Sequence, residues 1–179
     1  MAHEASQPET SHTPETRLFN VDAMSDDQIV VLNRGMWAVA DEIIGDKLFT
    51  QEVDFFVHER VGDEVRGLAA SDPARVKRLV ERLTLSDVGV DHKLAAQVVP
   101  ELIDFDYAFT RDTLISIYIG NTYEQMRVKH DPHDASETAD DQISYLMRDH
   151  LTPDQIADFQ RHAAFYDPDM PLEPARPDR

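Results

Sequence analysis

Apolar positions in residues 29–44 recur at spacings of three and four. Ile29, Leu32, Met36, Val39 and Ile43 form one line, and Val30, Trp37 and Ile44 widen it. That period is the face of an amphipathic helix packed in a bundle. Ser25-Asp-Asp-Gln28 in front of it is a capping box: the Ser25 oxygen can accept the third helical amide while Gln28 reaches back. Gly45 offers a natural stop.

The same reading carries along the chain. Thr50 opens a second helix with Val53, Phe56, Val57, Val61, Val65 and Leu68, which Gly62 weakens by about 1 kcal/mol relative to alanine. Ser71-Asp72-Pro73 is a cap with proline at the first helical position, where no amide is missed, and Val76, Leu79, Val80 and Leu83 follow. Asp91 is expected to cap a short helix that Pro100 ends or kinks, because proline pushes the residue before it out of the helical region. Glu101 to Phe109 reads as helix again. Thr138 is expected to cap a helix carrying Ile143, Leu146 and Met147. Thr152-Pro-Asp-Gln155 caps the last, with Ile156, Phe159 and Ala163.

One stretch admits two readings. Over 113–128, Ile115, Ile117 and Ile119 alternate with Ser116 and Tyr118, and Gly120-Asn121 could turn a hairpin. Leu114, Ile117, Tyr118 and Met126 suit a helical face instead, and a lone hairpin needs another layer to cover it. The pattern favours helix. The expected fold is therefore all-α, an irregular bundle of six or seven short helices, with α+β as the alternative should 113–128 form a hairpin.

Both ends differ in composition from the middle. Residues 1–17 hold Ser, Thr, Pro, Glu and His with almost no large apolar side chains, too little to offset ordering entropy, and read as a flexible arm. Residues 167–179 carry Pro168, Pro171, Pro174 and Pro177 at every third position, so in a polyproline II helix all four rings share one edge. Residues 18–166 between them suit a single helical domain.

Charge narrows the function classes. The 179 residues include 35 Asp and Glu against 17 Lys and Arg, a formal net charge of −18. Lysine is scarce, at Lys47, Lys77, Lys93 and Lys129. Such a surface suits a cytoplasm holding molar salt, where a Debye length of roughly 3 Å suppresses self-repulsion. We therefore expect a halophilic source. Direct binding to a phosphate backbone is disfavoured, since it needs concentrated Lys and Arg. An acidic mimic of nucleic acid would need its carboxylates in a stripe, whereas here they are spread and interrupted by Arg75-Val-Lys-Arg78 and Arg127-Val-Lys129. The absence of cysteine excludes disulfides, thiolate metal sites and a thiol nucleophile. No apolar run approaches the roughly 18 residues of a membrane span.

Candidate chemistry is sparse. His130, Asp131, His133 and Asp134 put two imidazoles and two carboxylates in five residues, a possible zinc, manganese or iron site, or an ordinary solvated loop. Asp54 with His58, and Asp158 with His162, stand at i and i+4, so each carboxylate could orient an imidazole or form a simple surface pair. Glu101, Asp104 and Asp106 make an acidic group beside aromatic residues. The Glu-x-x-His signature of di-iron bundles is absent, as are glycine-rich phosphate motifs. Phe55 and Phe56, side by side, cannot both face one core, so one of them is a candidate contact with a partner. The proline edge of the tail is a second candidate for partner binding.

These observations favour a non-catalytic interaction protein of the cytoplasm: an accessory subunit, assembly factor or structural component with a protein partner or a second copy of itself, and no cofactor. The alternatives are a small metal-dependent helical enzyme using His130 and His133, and the acidic mimic. The shared premise is that the carboxylates face solvent.

Overall fold

A computed structural model of the protein describes residues 18–45, 60–127 and 135–166, with side chains over 18–39, 60–120 and 135–166. Among the described residues the architecture is all-α. The helices are α1 (Asp26–Gly45), α2 (Arg60–Ser71), α3 (Pro73–Thr84), α4 (Gly89–Val98), α5 (Tyr107–Arg127), α6 (Ala135–Asp149) and α7 (Pro153–Tyr166). Short 3-10 turns at Val21–Ala23 and Val99–Leu102 precede α1 and follow α4.

Local chemistry sets several of the starts. The Ser25 amide donates to Gln28 Oε1 at 2.8 Å and the Gln28 amide to Ser25 Oγ at 3.3 Å, so the capping box forms. The same reciprocal pair joins Thr152 and Gln155 at 2.9 and 3.3 Å before α7. Asp72 accepts the Arg75 amide at 2.9 Å, with Pro73 opening α3. Each cap satisfies amides that the first helical turn cannot.

Over 113–128 the favoured helix is what forms, and three other expectations need correction. The hairpin over 113–128 does not form: that stretch lies within the continuous helix α5 up to Arg127. Its isoleucines alternate in sequence, yet Leu114, Ile115 and Ile117 are all buried, because α5 meets neighbours on more than one side. The exposed positions 108, 112, 116 and 120 recur every four residues, so α5 keeps one narrow solvent stripe and buries the rest. Glu101–Phe109 is not one helix. Pro100 enforces a 3-10 turn, and α5 starts afresh when Asp106 accepts the Phe109 amide at 3.0 Å. Thr138 lies inside α6, which begins at Ala135. Asp91 caps nothing: it lies inside α4, 1% exposed.

The architecture centres on α4, which touches α1, α2, α3, α5 and α6. Its Leu94, Ala95, Ala96 and Val98 are completely buried. Small side chains let several helices approach one short rod at once. Gly62 shows how closely: a Cβ there would stand 2.6 Å from Gln97 Oε1. The glycine that weakens α2 as a helix is where α2 meets the Gln97 side chain of α4. The core continues through Val76, Leu79, Val80 and Leu83 of α3, Leu114 and Ile115 of α5, Ile143 and Leu146 of α6 and Phe159 of α7. Ahead of α1, Glu64 Oε1 accepts the amides of Leu18 and Phe19 at 2.7 and 2.8 Å, and Val21 is fully buried.

Candidate interaction surface

Helix α1 buries most of the line its sequence pattern marks, with Leu32 and Met36 packed partly buried against the core, but it leaves Val39 out. Ile29, Val30, Asn33 and Trp37 are buried, while Val39 is 52% exposed and Val31 is 69% exposed. Asn33 shares that buried face, its Nδ2 donating to the Val90 carbonyl at 3.1 Å inside the α1–α4 contact. A buried amide with a partner is tolerated, and the apolar residues on the far side of α1 are turned outward. Gly35 lies between Val31 and Val39, also exposed, with nothing among the described residues within 4 Å of where a Cβ would be.

Beside this face is a cleft of about 400 Å³ between α1, the end of α3 and the start of α4. Val31 and Leu85 form its apolar lips. Leu85 follows the last turn of α3, its amide donating to the Arg82 carbonyl at 3.3 Å, and its side chain is 88% exposed. The polar rim is closed upon itself. Arg34 Nε donates to both Asp91 oxygens at 3.1 and 3.2 Å, and Nη2 to Asp91 Oδ2 at 2.5 Å and Ser86 Oγ at 3.3 Å. The bond with Asp91 pushes the Arg34 guanidinium above its ordinary pKa. Arg82 pairs with Asp27 across the other lip. Two arginines and two aspartates therefore line the cleft, a formal sum of zero in a chain of −18.

The Asp158–His162 pair lies in a second constellation, between α5 and α7. The imidazole Nδ1 is 2.9 Å from the Asp158 backbone carbonyl and 3.4 Å from its carboxylate. The carboxylate is held chiefly by others: Arg111 Nη1 at 2.5 Å, Tyr107 Oη at 2.9 Å and Arg161 Nη2 at 3.0 Å. The Arg111 hydrogen bond, then those from Arg161 and Tyr107, outweigh burial and hold Asp158 far below the usual carboxylate range. Burial and the Asp158 bond push the Tyr107 phenol up to about 12. An ionised carboxylate with three donors is a structural tie, with its lone pairs committed, and a poor proton acceptor.

The acidic group at 101–106 separates. Asp106 pairs with Lys77 at 2.7 Å, and that bond, then the Phe109 amide, lowers its pKa. Glu101 and Asp104 are exposed, with Glu101 4.0 Å from Arg66. A shallow polar cleft of about 280 Å³ between α2, α4 and α6 includes Arg66, which donates to the Gln97 carbonyl at 2.7 Å, and Lys93, whose Nζ lies 4.4 Å from the Trp37 ring centre. His130, Asp131, His133 and Asp134, the pair Asp54 and His58, Phe55 and Phe56, and Pro168, Pro171, Pro174 and Pro177 all lie outside the described residues. Among the described residues, no group of three or more His, Asp or Glu gathers as a metal site, and no helix is long and apolar enough to cross a membrane.

Sequence reasoning missed the Val31–Leu85 surface and the buried Asp91. One signal existed: α1 carries more apolar residues than one face can hold. Comparison with protein-family models, curated proteins and solved structures returned no match.

Proposed function

We propose that this chain is a non-catalytic interaction protein, a subunit, assembly factor or structural component of a larger complex. The observation that carries this reading is the exposed pair Val31 and Leu85 on the lips of a cleft whose charges are already paired. An apolar patch with a polar rim is the usual anatomy of a protein contact. The guanidinium and carboxylate groups there are committed to each other, which suits shape recognition better than proton transfer. Phe55 and Phe56 and the proline edge of 167–179 are further contact elements in this reading.

The acidic coat has its own role in the proposal, keeping the chain dispersed in a salt-rich cytoplasm. Exposed Asp27, Asp63, Glu81, Asp87, Glu101 and Asp112 lie on several helices and loops, which supports a general coat over a mimicking stripe.

The test is capture from native extract at high salt. The full chain retains a defined partner, Val31→Glu with Leu85→Glu loses it, and Phe165→Glu, at a side chain 83% exposed on α7, keeps it. Equal capture by all three chains sinks the assignment of this surface. Stoichiometric metal in the purified protein, lost on replacing His130 and His133, would favour a metal-dependent enzyme instead.

A further inference from the structure

We draw no further inference here: the strongest candidate, the exposed apolar face of α1 at Val31, Gly35 and Val39, is open only with respect to the described residues, and nothing in the structure shows what covers it.

Discussion

Two aspartate–arginine ties hold outer helices to the centre of this bundle, and they are built differently. Asp91 is 1% exposed, and Arg34, whose side chain is 45% exposed, supplies the cation from α1. Asp158, 20% exposed, is shared among Arg111 and Tyr107 of α5 and Arg161 of its own helix. The first tie is deep and depends on one cation. The second is shallower and redundant. Burying a carboxylate raises the cost of losing its partner, whereas spreading it over several donors lowers the cost of losing any one.

The sharpest test of that difference is Arg34→Ala. It leaves Asp91 buried without its cation, and the expected loss is about 2 kcal/mol, below the fully enclosed case because nearly half of the Arg34 side chain meets water. Urea unfolding followed by circular dichroism measures it. A loss under 1 kcal/mol would mean that water reaches Asp91 freely and the two ties are alike. Replacing Asp91 as well, by Asn alongside Arg34→Ala, should recover part of the loss, since no uncompensated charge remains.

Acid separates the ties in another way. Asp158 has its pKa depressed in the fold, so its contribution is fully present above the unfolded carboxylate value near 4 and is lost as pH falls from there toward the folded value. Asp158→Asn should flatten the acid limb of the stability curve relative to the parent chain while changing its slope little between pH 6 and 8. An unchanged acid limb would show that the α5–α7 tie contributes nothing as a charge. Tyr107→Phe removes one donor of three and should cost about 1 kcal/mol, read from the same urea titration. A cost as large as that of Arg34→Ala would contradict the redundancy. The smallest effect, with the opposite sign, is at Gly35: Gly35→Ala should stabilise the fold by up to about 1 kcal/mol. Gly62→Ala should gain less or destabilise, because its Cβ meets Gln97.

Much of the fold could be read from local chemistry. The Ser25–Gln28 and Thr152–Gln155 boxes and the Asp72-Pro73 start are satisfied within a few residues, so sequence alone marks them. Val76, Leu79, Val80 and Leu83 gave a periodic stripe because α3 buries one face. The errors share a cause. Asp91, near the start of α4, resembles a cap until Arg34 arrives from 57 residues away. The isoleucines of α5 kept a hairpin open as the alternative to helix because α5 exposes only the narrow stripe 108, 112, 116 and 120. Of the candidate chemistry among the described residues, Asp158 and His162 stand together, and the carboxylate's chief partners, Tyr107 and Arg111, lie 51 and 47 residues from Asp158.

What the chain determined by itself is its helical class, its capped starts, its lack of thiol chemistry and its heavy negative charge, since each depends on composition or on residues within one turn. Which way α1 faces was a tertiary decision. Ile29, Val30 and Trp37 turned inward, Asn33 found a carbonyl on α4 beside them, and Val31 and Val39 were left facing water. A helix with apolar residues on more than one side can bury only one of them against a given neighbour, and the choice belongs to the neighbour's shape and polar groups.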